Sequence, residues 1–113
     1  MCRLAEDEYL TTDKLTKLHE MLAKQPNDPF LLYGVALEHK KLNEPTKAIE
    51  FLDRVIASDA NYCYAYYQRG QILEAMGDAI GAAQSYNDGI AAAKRAGDAH
   101  AQSELENALA MMQ

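Results

Sequence analysis

Residues 63–96 read CYAYYQRGQILEAMGDAIGAAQSYNDGIAAAKRA, and the residues just before them, 29–62, read PFLLYGVALEHKKLNEPTKAIEFLDRVIASDANY. Laid one over the other, the two stretches match in kind. Leu32 answers to Tyr66, Ala36 to Gly70, Leu42 to Met76, Ala48 to Ala82, Leu52 to Tyr86 and Ile56 to Ile90. The register also runs backwards, with Lys14, Leu15, Leu18, Met21 and Leu22 standing one period before Ala48, Ile49, Leu52, Val55 and Ile56. A fixed period of about 34 residues, filled with helical apolar spacing, marks a stack of helical hairpins in which each unit buries its apolar face on the next.

Punctuation supports the same division. Leu15, Leu18, Met21 and Leu22 share one helical face that ends before Pro26. Asp28-Pro29 is a start signal: the carboxylate can accept free N–H groups of the first turn, and proline fits there without losing a hydrogen bond. Asn43-Glu44-Pro45 repeats that logic, and Asn61 is the expected cap of the next helix. Gly77-Asp78 and Gly97-Asp98 each read as a left-handed stop followed by a new cap. The expectation is an all-α fold with helices near 12–25, 29–42, 45–58, 62–76, 78–95 and 98–112. Residues 1–11 are acidic and weakly patterned, a lead-in that is frayed or forms a short helix. Small residues at Ala36, Gly70, Ala48 and Ala82 allow close helix crossings, and Gly89 is expected to face inward.

Composition excludes several function classes. The 113 residues carry a net charge of −6, and only Lys40-Lys41 and Lys94-Arg95 are adjacent basic pairs, so the chain is poorly suited to displacing counterions from a phosphate backbone. No apolar run reaches the length of about 18 residues that a membrane span needs. The N-terminus turns acidic where a secretory leader needs an apolar core, so a cytoplasmic location is expected. Cys2 and Cys63 lack the spacing of a redox or zinc motif, and Cys63 is expected to act as a small buried apolar residue. His19, His39 and His100 show no metal-ligand spacing, and His39 is expected to be a packed residue at the core edge. No phosphate loop, nucleophile elbow or Cys–His arrangement is present. The reading is of a protein without enzymatic activity, cofactor or metal.

The residues that carry the period resemble the tetratricopeptide repeat (TPR) family. The copy at 63–96 matches well, with Tyr66 at the large aromatic position, Gly70 at the small one, Gly77-Asp78 at the turn, and Ala82 and Tyr86 on the second helix. The copy at 29–62 departs more, with Leu32, Ala36, His39 and Asn43 at the corresponding places. Residues 12–28 resemble the second half of a preceding unit, and 97–113 the solvating helix that closes such arrays. The resemblance implies a single domain, a right-handed solenoid of two full repeats with flanking pieces, whose first helices line a concave face that binds a peptide or protein segment.

On that face the resemblance places Phe30, Tyr33, Leu37, Lys40 and Lys41 from one copy and Tyr64, Tyr67, Gln71 and Glu74 from the next. Tyrosine suits such a site because it offers large contact area, a polar tip and few rotors to immobilise. The Lys and Asn pattern with which family members hold a C-terminal carboxylate is absent, so an extended apolar or aromatic segment is the expected ligand. Two alternatives stand beside this. The aromatic stripe could be packing within the chain, or the partner could be another copy in a self-assembling homo-oligomer. Neither nucleic acid nor membrane is expected as a partner.

Overall fold

In a computed structural model, residues 2–112 are described, with side chains from residue 13 onward. Six helices follow one another: α1 (Cys2–Lys24), α2 (Pro29–Lys41), α3 (Pro45–Ser58), α4 (Cys63–Ala75), α5 (Ala79–Ala96) and α6 (Ala99–Ala110). Among the described residues there is no strand. Five of the six fall within a few residues of the expected spans. The first departs: α1 begins at Cys2 rather than near residue 12. Residues 2–11 contain neither Pro nor Gly and are rich in Leu, Ala and Glu, so nothing in them interrupts a helix. The side chain of Cys2, and with it the expectation for its thiol, lies outside the described residues.

The helix starts sort by chemistry. Asp28 caps α2, its carboxylate accepting from the N–H groups of Phe30 at 2.9 Å and Leu31 at 3.3 Å. Asp78 does the same for α5 through Gly81 at 2.9 Å, and Asp98 for α6 through Ala101 at 3.0 Å. Gly77 and Gly97 supply the positive φ before each of these caps, at 87° and 68°. The two asparagines do something else. Asn43 takes the corresponding left-handed position at φ 58°, and Glu44 stands at the N-cap of α3 with no side-chain bond to its first turn. Asn61 does not cap α4. Its Oδ1 accepts from Arg95 Nε at 2.9 Å, tying the start of α4 to the end of α5, and Tyr62 occupies the cap position without a side-chain bond.

Each helix packs on the next in sequence, and α6 also touches α4. Two apolar clusters result. The first joins Leu22 of α1, Leu31, Leu32, Val35 and Ala36 of α2, Ala48, Leu52 and Val55 of α3, and Ala65 and Ile72 of α4. The second joins Cys63 and Leu73 of α4, Ala82, Tyr86 and Ala93 of α5, and Ala101 and Leu105 of α6. Helix α4 serves both, which is how the units are stapled together. At the α4–α5 crossing Gly70 lies against the Tyr86 ring, where a Cβ would stand 2.7 Å from Cδ1 and 2.8 Å from Cζ. Gly89 is buried as expected, and a Cβ there would meet Tyr66 Cβ at 2.7 Å and Leu105 Cδ2 at 2.8 Å.

His39 is buried, as expected. Its Nδ1 lies 2.9 Å from Glu44 Oε1 and its ring stacks on Phe51, with centroids 5.5 Å apart and planes 19° from parallel. That hydrogen bond holds the Glu44 carboxyl below the usual carboxylate range. Cys63 opens α4, is buried, and donates its Sγ–H to Asn61 O at 3.3 Å. Burial pushes its thiol upward, away from the reactive thiolate.

Candidate interaction site

Because α2 and α4 are equivalent helices one period apart, their matching side chains come side by side. Lys40 Nζ crosses from α2 to donate to Gln68 Oε1 at 2.7 Å and Gln71 Oε1 at 3.5 Å on α4. Gln71 Nε2 in turn donates to the Tyr67 hydroxyl at 3.0 Å. The Tyr67 ring meets Tyr64 edge-on, with centroids 6.4 Å apart. Tyr64 passes its hydroxyl hydrogen to Glu104 Oε1 on α6 at 3.2 Å, and His100 donates to the same oxygen. On the other flank Tyr33 shares a side-chain hydrogen bond with Gln68 and tilts against Tyr62 at 5.1 Å. A polar ladder on aromatic supports therefore runs from α2 across α4 to α6.

Burial and the Glu104 carboxylate hold the Tyr64 hydroxyl above its ordinary value, and burial does the same at Tyr33. Both stay protonated and able to donate at neutral pH. At the ends of α2 and α4 the ladder opens on a pocket of about 270 Å³ lined by Lys40, Asn43, Pro45, Gln71, Ile72, Ala75 and Met76. It has an apolar floor and one cation at its edge. A second concavity of about 310 Å³ lies between α3 and α5, where Arg69 pairs with Asp53 at 2.8 Å.

The expected site residues divide three ways. Tyr33, Lys40, Tyr64, Tyr67 and Gln71 share the ladder. Phe30 stands at the first turn of α2 and is 73% exposed. Leu37 and Lys41 instead line a separate cleft between α1 and α2, with Lys41 Nζ 3.4 Å from Glu38 Oε1. Glu74 is exposed and accepts the Tyr86 hydroxyl at 2.5 Å through Oε1. Gln68 and Glu104 escape the sequence reading. Gln68 was within its reach, since Tyr64, Gln68 and Gln71 follow the i, i+4, i+7 rule of a single helix face. Glu104 belongs to the closing helix, from which the resemblance draws no residue of the face.

Among the described residues no group of three or more His, Cys, Asp and Glu side chains could hold a metal ion. Nor is any helix among them long and apolar enough to cross a membrane.

The fold and this inter-helix face define a helical-repeat solenoid of the protein-interaction class. No family model matches the chain. A TPR repeat-containing protein of Pseudomonas aeruginosa is 31% identical to it over 88 residues, covering 78% of this chain and 84% of that protein. The solution structure of a tetratricopeptide repeat domain protein from Salinibacter ruber superposes with a TM-score of 0.74 at 30% identity, over 78% of this chain and 89% of that one. The crystal structure of the Sgt2 TPR domain from Aspergillus fumigatus matches in fold, with a TM-score of 0.77 at 22% identity over 97% and 70% of the two chains. This chain belongs to the tetratricopeptide repeat family. Proteins of the family generally serve as non-catalytic interaction modules.

Proposed function

We propose that this protein binds an extended segment of another protein along the face made by Tyr33, Lys40, Tyr64, Tyr67 and Gln71, with Phe30 at one end. The observation that carries the reading is the ladder itself. It sets half-buried aromatic surface beside amide and ammonium donors, the combination that lets a peptide bury apolar side chains while its carbonyls find partners. The 270 Å³ pocket at the Lys40 end suits an apolar side chain. The same reading takes 29–62 and 63–96 as the repeat units of one domain, with 12–28 and 97–113 flanking them and 1–11 leading in. It assigns a reducing, cytoplasmic compartment, which suits the unpaired buried thiol of Cys63.

Selection of a random peptide library against the whole chain, followed by titration of the selected peptides, tests this. Tyr33→Ala and Tyr67→Ala should each weaken binding by about 2 kcal/mol or more, as truncated interface aromatics do, with melting lowered far less than binding. Peptides that bind both variants as well as the parent would refute the assignment. Light scattering over a range of concentration checks self-assembly: a dimer disrupted by Tyr67→Ala would transfer the face to a second copy.

A further inference from the structure

The 34-residue period identifies a place that no described residue fills. Leu18 and Met21 of α1 correspond to Leu52 and Val55 of α3 and to Tyr86 and Gly89 of α5. Leu52, Val55 and Tyr86 have no exposed surface, because α2 lies over α3 and α4 lies over α5. Met21, by contrast, is 53% exposed. Leu37 shows the same pattern. Its counterpart two units on, Leu105, is buried, whereas Leu37 itself is partly exposed. Nothing among the described residues occupies the position over α1 and α2 that α2 occupies over α3 and α4.

What remains is a cleft of about 300 Å³ floored by Leu18, Met21, Gly34 and Leu37. The internal repeat says what shape fills such a cleft: an α-helix, presenting a face like that of Leu31, Leu32, Val35 and Ala36. The charges say what flanks that helix. Lys14, Lys17 and Lys41 stand around the cleft in a chain whose net charge is −6. Among the described residues the only carboxylate lining it is Glu38, with Oε1 3.4 Å from Lys41 and 3.7 Å from Lys14. Glu38 is 6% exposed, and its Oε2 is buried without a hydrogen-bond partner. That oxygen would receive a donor from whatever enters the cleft. Lys17 Nζ also lies 3.4 Å from Asp13 Oδ2, so three lysines stand against two described acids and the rim keeps a net positive charge.

We propose that the α1–α2 cleft is a docking site for an amphipathic helix of a partner protein, apolar on one face and flanked by carboxylates that meet Lys14, Lys17 and Lys41. The site stands apart from the inner face proposed above, since neither Tyr33 nor Tyr67 lines it.

The probe is a fluorescein-labelled synthetic peptide of 13 residues, the length of α2. It carries the Leu, Leu, Val, Ala spacing of residues 31, 32, 35 and 36 with glutamates at its outer positions. A twin carries lysines there instead. Fluorescence anisotropy with the full chain should show the glutamate peptide binding at least about tenfold more tightly than its twin, with the gap closing as salt rises. Leu37→Asp should abolish binding of both peptides. The triple variant Lys14→Gln, Lys17→Gln and Lys41→Gln should keep the binding but lose the preference. Circular dichroism melting checks that each variant remains folded, and Tyr67→Ala should leave this binding unchanged. Equal affinity for the two peptides, or indifference to Leu37→Asp, would overturn the proposal. So would a dimer of the parent chain that Leu37→Asp dissociates, because the occupant would then be a second copy.

Discussion

Two helical glycines, Gly70 on α4 and Gly34 on α2, meet opposite surroundings. Gly70 is a socket for the Tyr86 ring, whose Cδ1 would stand 2.7 Å from an added Cβ. Gly70→Ala should therefore destabilise the fold by roughly 1–3 kcal/mol, and Gly70→Leu by more, in chemical denaturation. At Gly34 an added Cβ meets only the two Leu18 methyls, Cδ2 at 3.3 Å and Cδ1 at 3.5 Å, and that side chain is partly exposed. Gly34→Ala should leave stability unchanged or raise it by up to about 1 kcal/mol through helix propensity. A second prediction concerns the tyrosines. Burial raises the hydroxyls of Tyr33, Tyr62, Tyr64, Tyr66 and Tyr86, and Glu74 adds to the effect at Tyr86. A folded-state value above the unfolded one favours the fold fully below the unfolded value near about 10 and loses that contribution as pH rises beyond it. Denaturation midpoints should thus hold steady to about pH 9.5 and then fall, with Tyr86 ionising last when absorbance at 295 nm is followed. Tyr86→Phe should soften that alkaline fall.

At the scale of the elements, the turns into α3 and α5 are versions of one turn with different chemistry. Gly77 holds φ 87° and Asp78 caps, whereas Asn43 holds φ 58° and Glu44 gives its carboxylate to His39. Asn43→Gly should be neutral or slightly stabilising, since glycine enters the left-handed region freely. Asn43→Val should cost about 1–2 kcal/mol, read from the shift in the melting transition. The helices themselves were legible in the sequence because apolar spacing, proline and glycine act locally. Asp28, Asp78 and Asp98 were legible as caps for the same reason. Asn61 was misread because it satisfies the local pattern of a cap while Arg95 claims its side chain; Asn43 stands at the turn-glycine place to which the resemblance assigned it. The ladder was legible in part. Tyr33, Lys40, Tyr64, Tyr67 and Gln71 follow from the family resemblance, but the hydrogen bond of Glu74 to Tyr86 depends on how closely Gly70 lets α5 approach, which no one-dimensional pattern records.

For the whole molecule, the two apolar clusters make stability a near-neighbour affair. Helix α6 contributes Ala101 and Leu105 to the second cluster and nothing to the first. Leu105→Ala, at a residue 1% exposed, should cost about 2–5 kcal/mol. In native-state hydrogen exchange the loss of protection should be greatest in α5 and α6 and least in α2 and α3, as expected for a chain whose units contact only their neighbours. An equal loss along the chain would mean that the clusters unfold as one. Because α4 belongs to both, its amides should stand between the two behaviours.

The crossing of Gly70 with Tyr86 has a counterpart in Ala36 with Leu52, all four residues being buried. One unit sets the smallest residue against a large aromatic, and the other sets a slightly larger residue against a smaller partner. The joint volume is what the geometry holds constant, so the pair is the smallest unit that can drift. A survey of single replacements would score both Gly70 and Tyr86 as intolerant, yet Gly70→Ala combined with Tyr86→Leu rebuilds a crossing this chain already contains. Descent of such repeats would then proceed in coupled steps, each member waiting on the other.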